Sequence, residues 1–557
     1  MSEASDTARR HSATDALGLE TDEMRRLGYW VVDRVVEHFE QNGDGPAIRI
    51  GSAEDLRGAL GGPVPQTPGD PLEAMQTLVD VALANMQHGD HPRYFARVPG
   101  ASSYAGVLGE WLGTGFNVIA ASWEGSTGPT TVELIALDWL RQLLGLPEGT
   151  EGILLSGGSL SSLTGIAAAR HELGPGVAYL TDQTHASIRR GLITLGFAAD
   201  EIHVVKTDER LRMTADAVRE AIAGDRREGR EPRFILATAG TTNTGAVDDL
   251  PGLAKLAAQE GAWLHVDGAY GAPGALCPAG RAVLEGLELA DSLVLDPHKW
   301  LFLPYDVGCL FVSRPRALAN AFSMRPEYLA DVRMNTTAVN LGDRSPELTR
   351  RARGLKLWML LRVYGAERLR AAIERTIALA EYAEFVVEAD PFWEIVTPAQ
   401  LGIVTFTHPG WEPAEHSARA AALAADGYAA VTSTNLQGRP ALRLCTINPR
   451  TTEEDIEQTL RRIRTITRDG LPIDAVEITD TGVYQPEYDV EAITLPKVAT
   501  DDSHRDEDLG RAWIEVDAAR SADAILRAVK AGDFRVGFNS SRRPGTGLGD
   551  LLGLGTR

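Results

Sequence analysis

Cysteine is scarce in this chain: Cys277, Cys309 and Cys445 are its only three in 557 residues. They show neither a CxxC nor any paired metal spacing, and a chain this long needs no disulfide staples, so a disulfide scaffold and a cysteine-held metal are both excluded. No metal site is expected, and a reducing compartment fits. The chain also lacks any apolar run long enough to cross a bilayer, and MSEASDTARRHSATDALGLETDEMRR at its start lacks the apolar core of a secretory signal. The basic tip Arg9, Arg10 and His11 reads as a disordered end rather than an address. The expected location is the cytoplasm. Positive charge is in deficit, 55 Lys and Arg against 77 Asp and Glu for a formal net charge of -22. Such a surface repels nucleic acid and acidic membrane, so neither is an expected partner and small-molecule chemistry moves up.

Lysine is the rarest cation. Only Lys206, Lys255, Lys299, Lys356, Lys497 and Lys530 occur, and Lys299 sits between His298 and Trp300 in the apolar run LDPHKW, 295–300. A lysine buried there loses hydration and is expected to give up its proton, leaving a nucleophilic amine.

With 44% hydrophobic residues and no internal repeat, the chain is globular and long enough for several cores. MRRLGYWVVDRVVEHFE (24–40) spaces Leu27, Val31, Val35 and Phe39 as an amphipathic helix, whose stripe must be covered by the main body or a second subunit. GGPVPQTPGDP (61–71) reads as a linker. From about residue 104 to 330, apolar runs alternate with helical stretches: GILLS, VAYLT, IHVVK, RFILATAG, WLHVD and SLVLD. Uniformly apolar runs suit parallel strands covered on both faces, so the expected class is α/β. A helical stretch over 354–388, strands in GIVTFTHPG and ALRLCTINP, and a closing helix in EDIEQTLRRIRTI make a smaller α+β domain. The expected parts are 1–103, an N-terminal helical segment; 104–376, the large domain; 377–467, the small domain; and 468–557, a partly flexible extension.

Four further features fall at strand ends, where open α/β sheets bind ligands. SGGSLSSLTGIAAAR (156–170) is a strand, turn and helix whose backbone amides around Gly158 and Ser159 can cradle a phosphate, although such a turn is also an ordinary βα connection. His185 in TDQTHASI can be a ligand or a cap; the threonines of ATAGTTNTGAVDDL can reach a ligand or satisfy local backbone. Asp267 ends the strand of LHVDGAYG and needs a partner to stay charged. Together with LDPHKW these parts meet the demands of pyridoxal phosphate: an amine for its aldehyde (Lys299), an anion for its ring nitrogen (Asp267), a flat group on its face (His185), and donors for its phosphate (Gly158 and Ser159).

HVDGAYG and DPHKW, with TDQTHASI and ATAGTTNTG in this order, resemble the group II pyridoxal-phosphate decarboxylases, which act on aromatic amino acids, histidine and glutamate. HPRYFARVPGASSYAGVLGEWL (91–112) and LRLCTINPRTTEEDIEQTL (442–460) match the flanking regions, so the likeness covers roughly residues 20–467. It implies a fold-type I homodimer with a mostly parallel, seven-stranded type of sheet and an N-terminal segment clasping the partner. It further implies that Lys299 bonds the cofactor, Asp267 pairs with the pyridinium and His185 stacks on the ring. Ala269 lies on the opposite face, Gly158, Ser159 and His298 hold the phosphate, and Thr242 contacts the cofactor. Asp296 departs from the Asn common in aromatic decarboxylases; a carboxylate there would repel phosphate unless it turned away, so it is left out of the expected site. Tyr328 matches the loop tyrosine that delivers a proton to Cα, where oxidising members tend to carry Phe.

The substrate pocket reads differently from an aromatic one. Val98 and Ala121 stand where aromatic decarboxylases carry Phe, which removes the surfaces that sandwich a ring. Gln66 is a candidate substrate neighbour, and Arg97 reads as structurally paired rather than as a mark of an acidic substrate. Within the family the chain looks most like actinobacterial methionine decarboxylases, so L-methionine, converted to 3-methylthiopropylamine, is the expected substrate. Valine, leucine or an aromatic amino acid are the alternatives, and an oxidative aldehyde synthase or aminotransferase is the alternative of another class.

Overall fold

The computed structural model describes residues 17–324 and 338–466, with short strands beyond. Two compact units result, Met1–Leu460 and Arg461–Arg557; among the described residues the second contains three two-stranded sheets, the longest pairing Ala512–Val516 with Phe534–Phe538.

The first unit opens with helix α1, Thr21–Gln41, matching the amphipathic pattern. Residues 61–69 are irregular, between short helices Ala53–Leu60 and Pro71–Thr77. Helices α2 (Tyr104–Gly115) and α3 (Thr127–Leu144) follow, the latter stopped by Gly145 in the left-handed conformation at φ 74°. The large sheet then builds up through β1 (Glu151–Leu155), α4 (Gly158–Leu173), β2 (Val177–Thr181), α5 (Ala186–Thr194), β3 (Ile202–Val205), β4 (Pro232–Thr238), β5 (Trp263–Asp267), β6 (Ser292–Leu295), α6 (Pro297–Trp300) and β7 (Gly308–Val312). Strand order is β1-β7-β6-β5-β4-β2-β3, and β7 alone runs against the rest. Apolar side chains on both faces are buried in two separate clusters, one holding Leu264 and Val266, the other Trp263 and Phe234, which is why these strands read as continuous apolar runs.

Helix α7, Gly354–Ala389, packs against α2 and α3 and kinks at Gly365, whose φ of 69° a side chain would strain. The segment after Gly365 runs on past residue 376 to Ala389, ahead of the small sheet. The latter is antiparallel, ordered β10 (Thr432–Leu436), β11 (Arg439–Cys445), β9 (Ile403–Thr407), β8 (Glu394–Gln400), with the helix Pro413–Asp426 beside it. The helix Glu453–Thr465 follows.

A fully buried ion pair ties β1 to its surroundings. Arg350 donates to Glu133 of α3 at 2.7 Å and to the carbonyls of Ala120 and Leu154, each at 2.6 Å. Glu133 in turn accepts the Leu154 amide at 3.2 Å. Removing one partner strands a charge out of reach of water. Arg350→Met is expected to lower unfolding free energy by about 3–5 kcal/mol in chemical denaturation. Arg350→Met with Glu133→Leu should regain part of that loss, because the Ala120 and Leu154 carbonyls stay without their donor.

Candidate active site

The carboxyl ends of β1, β2, β4, β5 and β6 all point one way, and the chain leaving each contributes to one cavity of about 340 Å³. Gly158 and Ser159 at the start of α4, His185, Thr242, Asp267, Ala269, His298 and Lys299 all line it, joined by Thr238, Tyr270 and Asp296. Gly158 is where the wall closes in: a Cβ there would lie 2.9 Å from Asp296 Oδ2 and 3.1 Å from the Ala269 methyl. Only a glycine lets the turn sit this close.

Lys299 stands on the single turn of α6. Its side chain is 24% exposed, into the cavity, and Nζ lies 2.9 Å from Asp296 Oδ2. Burial works to strip its proton, but the charge and hydrogen bond of Asp296, with Asp267 behind it, outweigh burial and hold its pKa above the ordinary lysine value. The expectation of an amine made neutral by burial is therefore corrected: beside Asp296, Lys299 is held as a cation. Asp296 does not turn away either. It is 2% exposed and faces the cavity, its Oδ2 shared between Lys299 and, at 3.6 Å, His298 Nε2, while Oδ1 is buried without a partner.

Asp267 is nearly as buried and accepts the Ala269 amide at 3.0 Å. Desolvation pushes its pKa up against the pull of Lys299, so this carboxylate is short of positive charge. The Val307 amide donates to His298 Nδ1 at 3.2 Å, which places the ring proton of neutral His298 on Nε2, toward Asp296; burial pushes this histidine's pKa down. His185 is the cap of α5, its Nδ1 accepting the Ser187 amide at 3.3 Å, and it also lines the cavity.

Tyr328 lies outside the described residues. Gln66, Val98 and Ala121 do not line this cavity in the single chain: the Gln66 amide donates to Val64 O at 2.9 Å on the exposed surface, Val98 packs against the main core, and the Ala121 carbonyl accepts the Gly342 amide at 2.8 Å. Sequence reasoning passed over two braces. Tyr270 stacks on Trp300 with centroids 5.3 Å apart, and its hydroxyl accepts the Gly402 amide at 2.7 Å, linking the cavity wall to β9. Arg443, 3% exposed and paired with no carboxylate among the described residues, donates to Asn243 O at 3.3 Å beside Thr242. Its single visible signal was an arginine inside the apolar strand ALRLC.

These residues fit pyridoxal phosphate. An amine pairs with one buried carboxylate, a second carboxylate starved of positive charge ends its strand at the same cavity, and a helix N-terminus opens against a glycine too confined for a side chain. The buried hydroxyl of Thr238, at the cavity, has no partner.

Such a sheet and cavity define a fold-type I pyridoxal-phosphate enzyme. Residues 56–408 match the model of the pyridoxal-dependent decarboxylase conserved domain, and the chain belongs to that family. A short second match, described as PHP-associated, covers residues 490–534. The chain is 40% identical over 466 residues to an aromatic-L-amino-acid decarboxylase of Bacillus atrophaeus, covering 81% of this chain and 97% of that enzyme. Among solved structures it is similar to Oryza sativa TDC with pyridoxal phosphate and tryptamine, at TM-score 0.76 and 28% identity over 81% of this chain and 98% of that one. A Rhodiola rosea 4-hydroxyphenylacetaldehyde synthase is similar at TM-score 0.74 and 27% identity, over 80% and 98%.

Lys299→Ala is expected to abolish the visible absorbance that the protein acquires with pyridoxal phosphate. Asp267→Asn should keep that absorbance while lowering the decarboxylation rate at least about a hundredfold, since it removes a charge aimed at the reacting system. Spectra and turnover measured on the same preparations check both.

Proposed function

We propose that this chain decarboxylates aromatic L-amino acids to their amines, as a cytoplasmic homodimer. The observation that carries the substrate reading is its 40% identity to the Bacillus atrophaeus aromatic-L-amino-acid decarboxylase across 97% of that enzyme's length. The dimer reading is supported by apolar side chains left exposed on and beside the N-terminal helices, Tyr29, Leu112 and Phe116 among them. The cytoplasmic reading is supported by three free, buried cysteines.

Pyridoxal phosphate, when bound, supplies a sink for the electron pair left as CO2 departs. The chain's residues would do the rest. Lys299 would hold the aldehyde end; Gly158, Ser159 and His298 would hold the phosphate; His185 and Ala269 would flank the ring, with Thr242 at its edge. Asp267 would meet the ring nitrogen with a negative charge, which keeps a proton there and relieves its own lack of a cation. Tyr328 is the proposed donor of the proton that Cα needs.

A second reading has its own observation. Val98 and Ala121 are small where aromatic decarboxylases carry Phe, which favours a flexible apolar side chain such as that of methionine. A third, oxidation to an aldehyde, has a relative in the Rhodiola rosea synthase but meets Tyr328 where such members tend to carry Phe. Purified protein with pyridoxal phosphate, offered tryptophan, tyrosine, phenylalanine, methionine, leucine, valine and glutamate separately under air, separates the three. Aromatic amines forming fastest, without peroxide, is the expected outcome. Methionine giving its amine fastest would replace the aromatic reading, and aldehyde with peroxide would overturn the role of Tyr328.

A further inference from the structure

The Asp296 carboxylate is the feature the decarboxylase reading leaves unused. It sits where the phosphate of the cofactor is expected, at the Gly158 end of α4, and there it holds the amine that has to react. One side chain thus reaches both the amine and the phosphate cradle, since its Oδ2 is 2.9 Å from Lys299 Nζ and would be 2.9 Å from a Cβ at Gly158. Its Oδ1 is buried without a partner.

We propose that Asp296 is a positioning residue that latches Lys299 as a cation until an anion occupies the Gly158 turn, and that it then takes the Nζ proton and frees the amine. The step is a transfer of one proton from Nζ to a carboxylate oxygen. The ammonium becomes an amine, the carboxylate becomes a carboxylic acid, and the pair stays neutral in sum. A phosphate arriving beside Gly158 drives it, because like-charge repulsion disfavours the carboxylate it meets and favours the neutral acid, which can donate to a phosphate oxygen. Seating of the phosphate and release of the nucleophile are thereby one event, and the amine stays closed to aldehydes that bring no phosphate.

Among the described residues, the charged and titratable groups that act on Asp296 bear on this. Lys299 and His298 face it from α6, Asp267 from the end of β5, Cys309 from β7, and Tyr305 from the loop between α6 and β7. Lys299 is the nearest of these cations, and His298 is held neutral by burial. The pull that keeps Lys299 charged comes from Asp296 before Asp267.

The inference rests on the cofactor and not on the substrate, so it stands or falls apart from the aromatic reading. Its test follows the labelling rate of Lys299 in the full-length chain freed of cofactor. Reductive methylation at fixed mildly alkaline pH is read by peptide mass spectrometry, with and without saturating inorganic phosphate. Phosphate is expected to speed labelling of the unaltered protein about tenfold, the effect of one unit in amine pKa. In Asp296→Asn, labelling without phosphate should already be faster, and phosphate should slow it, because a dianion beside a lone ammonium stabilises the cation. Asp296→Ser serves if the Asn variant fails to fold. Asp267→Asn should change the rate less than Asp296→Asn does. If phosphate slows labelling of the unaltered protein or leaves it unchanged, or if Asp296→Asn labels no faster than the parent, the latch is wrong.

Discussion

The edge strand β1 of the large sheet is tied to the chain around it by a desolvated ion pair. Arg350 and Glu133 are sealed from water, and the Arg350 guanidinium reaches carbonyls on two different segments while Glu133 closes the circuit on the Leu154 amide. Leu154 lies in β1, whose next residues form the Gly157–Gly158 turn. The proposed phosphate cradle therefore begins only a few residues beyond the point where this charge pair anchors β1. A salt bridge in that setting contributes little net stability over an apolar pair of equal shape, yet it fixes where three segments meet.

A second constraint works inside the cavity itself. Asp267, Asp296 and Lys299 line one cavity, where the two carboxylates hold the Lys299 pKa up against burial and Lys299 pulls that of Asp267 down against burial. Burial alone pushes the Lys299 pKa down; beside Asp296 it ends up raised. Residues usually described one at a time here behave as a unit, and the protein has a carboxylate to spare for each end of the cofactor.

Much of this was visible in the chain. VAYLT and WLHVD are strands over the very residues that read as such, because parallel strands covered on both faces leave an uninterrupted apolar signature. The cavity-lining set from Gly158 to Lys299 was legible for a related reason: each member follows a strand whose end could be read. β7 was not foreseen, since the run GCLFV carries no local mark of a reversed direction, which is set by its neighbours β1 and β6. The charge on Lys299 was misread because only the lysine's burial was weighed. The clue was present in the DxxK spacing, which puts Asp296 and Lys299 on one side of a helical turn. Gln66, Val98 and Ala121, which do not line the cavity in the single chain, belong to segments ahead of the sheet whose placement no strand periodicity dictates.

Lys356 bears on reactivity across the whole surface. It is a buried lysine whose ammonium is enclosed by the Pro304 and Asp306 carbonyls, at 3.0 and 2.9 Å, and by Glu110 at 2.8 Å. With arginine carrying almost all the remaining positive charge, the chain offers few other primary amines, Lys206 and Lys255 among them. Guanidinium groups do not condense readily with simple aldehydes, so a reactive carbonyl in solution meets few competing sites on this protein. The scarcity of lysine amounts to chemical quiet around the one amine that is meant to react.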